Sequence, residues 1–235
     1  MFDLDLPPNW PPSYAEINEA RGICKELTIA CVYWGNKYPP FYVRRLWNAV
    51  QRHLPVPHRF VCVTADSVIA DMGIECVRPP TGHDGWWQKV GLFAPELFGS
   101  EAFPILYLDI DIVIKGSLLP LVRHNVPHHG LVMIENFGPN RWQAAHNSSA
   151  MLWINGTCNE IYFDFIPEYT KRLHGDQCWI WRRMYKQIDN FKKGLIVSYK
   201  YDCQKGPPDG SSVVVFHGKP DPHEVKSDWV EENWK

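Results

Sequence analysis

The chain has 235 residues, of which 45% are hydrophobic and 21% are charged, and its formal net charge is -2. This length and composition suit one large domain or two small ones with buried cores. The near-neutral charge gives no basic footprint for nucleic acid, and no apolar run has the length of a membrane span.

The N-terminal segment and the cysteines indicate in which cellular compartment the protein is expected. Residues 1–22 are rich in proline and then polar, and they predict an N-terminal arm without the pattern of a secretory signal. The seven cysteines form no CxxC pair, and several lie inside apolar, strand-like runs. We therefore expect reduced thiols in a cytoplasmic protein. Peripheral association with a membrane is compatible with this expectation. No integral membrane segment is expected.

The first part of the chain alternates between strand and helix patterns. Apolar runs and helical spacing predict, in order, a strand, a helix, two strands, a helix and a strand, at 27–34, 41–54, 58–66, 73–79, 85–97 and 103–116. This β-α-β-β-α-β order predicts an α/β fold, in which helices flank a central, mostly parallel sheet.

The second part continues with strands and helices in mixed order. Strands are predicted at 130–135, 148–156, 195–201 and 211–218, and helices at 158–173 and 177–186. No boundary within 23–220 has the composition of a flexible linker. We therefore predict a single domain over 23–220, followed by a C-terminal tail at 221–235.

The strand at 103–116 carries two carboxylates in an otherwise apolar run. Side chains alternate between the two faces of a strand, so Asp109 and Asp111 share one face while the other stays apolar. In open α/β sheets, ligands bind at the carboxyl ends of such strands. Two like charges about 4 Å apart repel by roughly 4 kcal/mol at an effective dielectric near 20. A cation between them would remove this cost, although solvated or turn-capping aspartates also fit the pattern.

A second polar cluster ends the late strand "SSVVVFHG". His217 follows the apolar run, Gly218 allows a close approach of the backbone to a ligand, and Lys219 comes next. An imidazole and an ammonium group at a strand end suit a metal ligand and a phosphate contact. A histidine bonded to a backbone carbonyl beside a surface lysine is the alternative.

Together these segments resemble nucleotide-sugar-dependent glycosyltransferases of the GT-A fold, in particular glycosyltransferase family 8 and its uncharacterised relatives. The resemblance covers roughly residues 27–220. It rests on the order of VYWGNKY, WWQKVGLF, YLDIDIVI, HNSSAMLWING, HGDQCWIW and VFHGKP. Family 8 has a longer gap between the histidine and the lysine, so the resemblance is weaker at Lys219 than at His217.

The resemblance implies a metal-dependent enzyme that transfers a sugar from a UDP-sugar to a glycan or other acceptor, with retention. Asp109, Asp111 and His217 would hold Mn²⁺, with Mg²⁺ as the alternative, because an imidazole beside two carboxylates departs from the all-oxygen preference of Mg²⁺. The donor would be bound through Asp109, Gly218 and Lys219.

The remaining residues implied by the resemblance lie on other segments. Tyr33 would line the pocket of the nucleotide base, Lys89 would reach the donor, and Asn147 would line the sugar site. Asp176 and Gln177 would be the catalytic pair, with Gln177 near the reactive face of the sugar. Three of these residues have a structural alternative: a core aromatic for Tyr33, a surface lysine for Lys89 and a helix N-cap for Asp176.

Two other functions fit parts of the pattern. The run YLDIDIV matches the DxDx[TV] motif of haloacid-dehalogenase-type phosphatases, in which the first aspartate, here Asp109, is the nucleophile. Those enzymes carry it on an early strand and need a downstream acidic pair, which HGDQ does not supply. A non-catalytic module that binds nucleotide-sugars is the other alternative. The complete set of Asp109, Asp111 and His217 argues against it.

Overall fold

The computed structural model describes residues 27–80, 83–127, 129–138 and 144–235. The predicted N-terminal arm at 1–22 lies outside the described residues. The strands are β1 Leu27–Val32, β2 His58–Val63, β3 Glu75–Val77, β4 Pro104–Leu108, β5 Ile112–Ile114, β6 Leu131–Glu135, β7 His146–Ile154, β8 Ile188–Asn190, β9 Ile196–Ser198 and β10 Val213–Val215.

Short helices connect most of the strands. The α-helices are α1 Phe41–His53, α2 Ser67–Ala70, α3 Leu119–Val122, α4 Glu160–Phe163, α5 Tyr169–Arg172, α6 Asp176–Met184, α7 Tyr199–Asp202 and α8 Asp228–Asn233. Two 3₁₀ segments cover Gly85–Phe93 and Pro222–Glu224. In α1 the buried residues Val43, Leu46 and Val50 recur at helical spacing, as the sequence predicts.

Within the described residues, seven strands form a central sheet in the order β3-β2-β1-β4-β7-β6-β8. The first four are mutually parallel, β7 is antiparallel to both β4 and β6, and β8 is parallel to β6. All six residues of β1 are buried, which explains its continuous apolar sequence. The predicted α/β fold with a largely parallel central sheet is confirmed.

Two hydrophobic cores form on either side of this sheet. Alternate residues of β1 contribute to them, Ile29 and Cys31 to one core, Ala30 and Val32 to the other. Helix α1 and strands β5, β9 and β10 complete the first core, whereas α6 and the 3₁₀ segment Gly85–Phe93 complete the second. The carboxyl ends of β1 and β4 therefore lie between two packed layers.

The strand predicted at 103–116 forms two strands in two sheets. β4 ends at Leu108, and β5 begins at Ile112, where it joins β10 and β9 in a second, three-stranded sheet. Asp109 and Asp111 fall in the break between them. Carboxylates are costly to bury inside a sheet covered on both faces, so the turn is where the chain accommodates them.

The segment predicted as a tail, 221–235, packs against α1. Val230 and Trp234 are 1% and 6% exposed, and both belong to the first core. The Trp234 ring lies 4.8 Å from that of Tyr42, and Arg52 donates hydrogen bonds to two carbonyl oxygens among the last three residues. The fold therefore extends to the described C-terminus, because these apolar side chains bury surface there.

The described residues contain six cysteines, all of them free thiols, and five of these are buried. Cys31, Cys62 and Cys76 occupy matching register positions on β1, β2 and β3. In the described part of the chain, no helix is both long enough and apolar enough to cross a bilayer.

Candidate active site

An open cavity of about 290 Å³ lies at the carboxyl ends of β1 and β4. In open α/β sheets this edge is the usual ligand site. Its walls come from the loop after β1, the 3₁₀ segment, the turn after β4, and the first residues of β7 and α6, together with the turn after β10. The residues predicted from the sequence that line it are Lys89, Asp109, Asp111, Asn147, Asp176, Gln177, His217 and Gly218.

Asp109 directly follows β4 and is tied to three neighbours. Its backbone N–H donates to the carbonyl of Ser149 at 2.9 Å. Its Oδ1 accepts a 2.5 Å hydrogen bond from the Tyr107 hydroxyl and lies 2.7 Å from Nζ of Lys89. The two charged side chains are only 20% and 9% exposed. This ion pair is therefore better shielded from water than a surface pair.

Lys89 joins the acidic turn to the start of α6. Its Nζ also lies 3.8 Å from Oδ2 of Asp176, which accepts a 2.6 Å hydrogen bond from the Ser148 hydroxyl. Burial lowers the pKa of Lys89, but the charges of Asp109 and Asp176 outweigh it, and the pKa is raised overall. Burial also raises the pKa of Asp176, which Lys89 partly offsets. The alternative of a surface lysine is wrong, because the side chain is ion-paired beneath the cavity.

Asp111 has a different environment. Its Oδ2 accepts a 2.7 Å hydrogen bond from the hydroxyl of Tyr38, which lies in the loop after β1. Burial and the charge of Asp109 raise the pKa of Asp111 to about 6, although the bond from Tyr38 acts in the opposite direction. The two acids of the turn thus repel each other, as the sequence predicts.

Residues from β7 and α6 form the wall nearest Lys89. Asn147 is buried, and its Oδ1 accepts a 2.8 Å hydrogen bond from the backbone N–H of Ser149. Asp176 is the first residue of α6, whose N-cap is Gly175, so the expected capping alternative does not apply. A carboxylate in the first helical turn is favoured by the helix dipole. Gln177 follows Asp176 and lines the same cavity.

His217 and Gly218 form the opposite wall, directly after β10. Nε2 of His217 lies 2.7 Å from the Ser198 hydroxyl, and its ring stacks with those of Phe137 and Tyr201, at centroid distances of 5.5 and 5.7 Å. Burial and the nearby charge of Lys200 lower the pKa of His217. Gly218 has a φ of 78°, a backbone conformation that favours glycine.

The structure places two of the predicted residues outside the cavity lining. The Tyr33 side chain belongs to the first core because it shares the strand face of Ile29 and Cys31. The neighbouring Trp34 lines the cavity instead. Lys219 is held by Asp221, as described below.

Sequence reasoning missed several aromatic residues at the site. Trp34, Tyr38 and Trp86 all line the cavity, and Trp86 is 47% exposed. Period-two alternation along β1 could have assigned Trp34 rather than Tyr33 to the cavity, since Val32 and Trp34 share a face. Tyr38 follows an irregular loop, where sequence periodicity carries no information about direction.

A divalent cation fits the chemistry of the acidic turn. Within the described residues, hydrogen bonds and the ion pair reach only Oδ1 of Asp109 and only Oδ2 of Asp111. Each carboxylate therefore keeps one oxygen for a ligand. Among the same residues, no group of three or more His, Cys, Asp or Glu side chains has the geometry of a metal site. The predicted metal triad of Asp109, Asp111 and His217 is therefore not grouped in this way. His217 lines the cavity, but its ring contacts Ser198 and stacks with Phe137 and Tyr201.

No protein-family model matches the sequence, and no curated protein matches it. Solved structures do share the fold. GlyE, a glycosyltransferase of Streptococcus pneumoniae, aligns with a TM-score of 0.59 and 14% identity over 84% of this chain. The galactosyltransferase LgtC, crystallised with donor and acceptor sugar analogues, gives 0.60 and 13% identity over 83% of this chain. An active-site glutamine-to-glutamate variant of LgtC gives 0.64 and 12% identity over 87%.

This chain has the fold of these glycosyltransferases. The GT-A fold expected from the sequence is thereby confirmed. The chain spans 56% of the length of GlyE, and 88% and 93% of the two LgtC structures. The shared core therefore corresponds to most of LgtC but to little more than half of GlyE.

Proposed function

We propose that the protein is a metal-dependent glycosyltransferase that uses a UDP-sugar as donor. One observation carries the proposal: Asp109 and Asp111 each keep one carboxylate oxygen for a ligand, at the carboxyl end of the central strand of a glycosyltransferase fold. LgtC, which shares this fold, is a galactosyltransferase crystallised with donor and acceptor sugar analogues. The use of a sugar donor and a sugar acceptor by this chain is part of the proposal.

Asp109, Asp111 and His217 would hold the cation. Their mixed oxygen and nitrogen donors favour Mn²⁺, with Mg²⁺ as the alternative. Bound there, the cation would neutralise the charge that develops on the nucleoside diphosphate as the sugar leaves. Asp111 keeps Oδ1 for this role, while the Tyr38 hydroxyl occupies its other oxygen. His217 would have to exchange its contact with Ser198 for the cation.

The donor sugar would lie between Lys89 and the start of α6. The buried Lys89 ammonium fixes the carboxylates of Asp109 and Asp176 in one geometry, so both are held in place before a ligand arrives. Asn147 and Asp176 would bind sugar hydroxyls. Gln177 would lie near the reacting carbon. An amide is a poor nucleophile, so retention would require the departing diphosphate to guide the acceptor onto the same face.

The far wall would contact the phosphates. Gly218 has no side chain at the cavity surface, so its backbone can approach the diphosphate closely. Lys219 would add a positive charge only after leaving its present partners, Asp221 and Glu224. We propose a glycan as acceptor because Trp34 and Trp86 line the cavity, and indole rings stack well on pyranose faces. We also propose a cytoplasmic location, which the free, mostly buried thiols support.

The alternatives have less support. A phosphatase that uses Asp109 as nucleophile would also need a downstream acidic pair, whereas the HGDQ segment supplies a single carboxylate, Asp176, which Lys89 and Ser148 contact. The shared glycosyltransferase fold also favours the transferase. A non-catalytic binding module would keep the cavity but would release no UDP from a nucleotide-sugar.

A thermal-shift screen tests the proposal. Nucleotide-sugars are added to the protein with and without Mn²⁺, and ligands that bind the native state raise the melting temperature by mass action. We expect a UDP-sugar to stabilise the protein only when Mn²⁺ is present, and Asp111→Asn to abolish this shift. Equal stabilisation with and without Mn²⁺, or by none of the nucleotide-sugars, would contradict the proposal.

A further inference from the structure

A tyrosine hydroxyl lies between the acidic turn and the C-terminal part of the fold. The Tyr38 hydroxyl donates to Oδ2 of Asp111 at 2.7 Å and lies 3.4 Å from Oδ1 of Asp221. Asp111 belongs to the cavity, whereas Asp221 lies beyond β10 and is only 7% exposed. A single side chain therefore contacts two carboxylates from segments more than a hundred residues apart.

Asp221 belongs to a small network that holds Lys219. Its Oδ2 accepts a 2.7 Å hydrogen bond from Nζ of Lys219, which also reaches Oε1 of Glu224 at 2.8 Å. The backbone N–H of Asp221 donates to Oε2 of Glu224 at 2.7 Å. The Lys219 side chain is 69% exposed and contributes nothing to the cavity lining. Its ammonium is thus held by Asp221 and Glu224, although Lys219 directly follows Gly218, which does line the cavity.

The neighbouring Tyr42 provides an internal comparison. Its ring stacks on that of Tyr38 with centroids 4.6 Å apart, and its hydroxyl contacts Nδ1 of His223 at 2.5 Å. Tyr42 therefore contacts the same C-terminal part of the fold, but Asp111 receives its hydrogen bond from Tyr38. The two hydroxyls therefore have different partners: that of Tyr38 contacts Asp111 and Asp221, whereas that of Tyr42 contacts His223.

We propose that Tyr38 is a positioning residue of the donor site. Its hydroxyl fixes the Asp111 carboxylate so that Oδ1 is presented to a divalent cation, and it couples that carboxylate through Asp221 to Lys219. The inference rests on the proposed function, because the cation belongs to it. Hydrogen-bond partners of metal-binding carboxylates typically contribute about 10–100-fold to metal affinity.

The test compares Tyr38→Phe with the matched variant Tyr42→Phe. Each loses one hydroxyl and keeps its ring, so the aromatic stack is preserved. Binding of Mn²⁺ alone, without nucleotide, is measured by electron paramagnetic resonance of the free ion. We expect Tyr38→Phe to bind Mn²⁺ about 10-fold more weakly than the wild type. Tyr42→Phe should bind it as the wild type does.

The outcomes separate this inference from the proposed function. Wild-type affinity in a folded Tyr38→Phe variant would overturn the inference and leave the proposed function standing. A wild-type protein that binds no Mn²⁺, with or without UDP, would overturn both.

A second measurement needs no variant and remains informative if Tyr38→Phe fails to fold. Mn²⁺ added to the wild type should change amide hydrogen exchange at residues 219–225, because Tyr38 links Asp111 to Asp221. Unchanged exchange there, with Mn²⁺ shown to be bound, would contradict the coupling.

Discussion

Lys89 and Asp109 form a shielded ion pair, with Nζ 2.7 Å from Oδ1, at the point where the central strand β4 ends. The pair ties the 3₁₀ segment to the acidic turn and leaves Oδ2 of Asp109 for a ligand. Asp176 adds a second carboxylate at 3.8 Å from the same ammonium group. One buried positive charge thus organises the acids on two sides of the cavity.

Loss of the Lys89 charge should destabilise the protein. Lys89→Met leaves Asp109 and Asp176 without their cation, and breaking such a pair costs about 3 kcal/mol. For a chain of this length that loss corresponds to a fall of roughly 6–12 °C in melting temperature. Thermal melts monitored by circular dichroism check this. The exposed Lys193→Met is the control and should melt as the wild type does, whereas equal melting of Lys89→Met would contradict the role given to this ion pair.

Asp111 should make stability depend on pH. Its pKa is raised to about 6 from the ordinary value of 3.8, so between about pH 4 and pH 6 the folded state keeps a proton that the unfolded chain has lost. This contribution to stability is present at low pH and is lost as the pH rises through 6. In metal-free buffer, urea unfolding should show Asp111→Asn to be no less stable than the wild type at pH 7.

The contribution of Asp111 to the pH dependence of stability can be isolated by comparing the wild type with Asp111→Asn. Between pH 4 and pH 7 the wild type should lose about 2 kcal/mol relative to Asp111→Asn. The exposed Asp209→Asn serves as the matched control and should follow the wild type. A lower stability of Asp111→Asn at pH 7, together with an unchanged stabilising shift from Mn²⁺ and UDP, would refute the functional interpretation of the acidic pair.

Alanine variants of Gly218 and Gly194 distinguish the effect of backbone strain on stability from an effect on ligand binding. Both have positive φ angles, 78° and 88°, but only Gly218 lines the cavity. Alanine at either position should cost about 1–2 kcal/mol of unfolding free energy, because an L-residue is strained there. Only Gly218→Ala should also weaken UDP binding, measured by calorimetry with Mn²⁺ present. Equal UDP affinity in the two variants would exclude a close contact of Gly218 with the donor.

Gln177 should affect turnover without affecting stability. It lines the cavity beside Asp176 at the start of α6. If its amide helps stabilise charge near the reacting carbon, Gln177→Ala should lower kcat about 100-fold, which is typical for the loss of one such donor. The exposed Gln204→Ala is the control. An unchanged kcat for UDP release in Gln177→Ala would remove this residue from the mechanism.

Much of the fold followed from the sequence because its strands are buried on both faces. The continuous apolar run of β1 and the helical spacing of α1 predicted these two elements to within a few residues, and the start of β4 was predicted equally well. The break after Leu108 was not predicted, because alternation describes which face a residue occupies and not where the chain leaves a sheet. The segment predicted as one helix at 158–173 forms the two short helices α4 and α5, separated by Pro167.

The site could be predicted only in part, for a related reason. Polar residues that interrupt buried strands, such as Asp109 and His217, stand out in the sequence and lie at the cavity. The sequence predicts Lys219 at the donor site as well, but its partners, Asp221 and Glu224, lie outside the cavity. Contacts between segments distant in the chain, such as Tyr38 with Asp111, have no signature in a single sequence.

The most direct test of the central claim is UDP release from a panel of UDP-sugars in the presence of Mn²⁺. The wild type should release UDP from at least one donor, whether the sugar passes to water or to an added glycan. Chelation of the metal, or Asp111→Asn, should abolish the release. Failure to turn over any nucleotide-sugar, or release that persists unchanged in Asp111→Asn, would contradict the assignment of this cavity as a metal-dependent glycosyltransferase site.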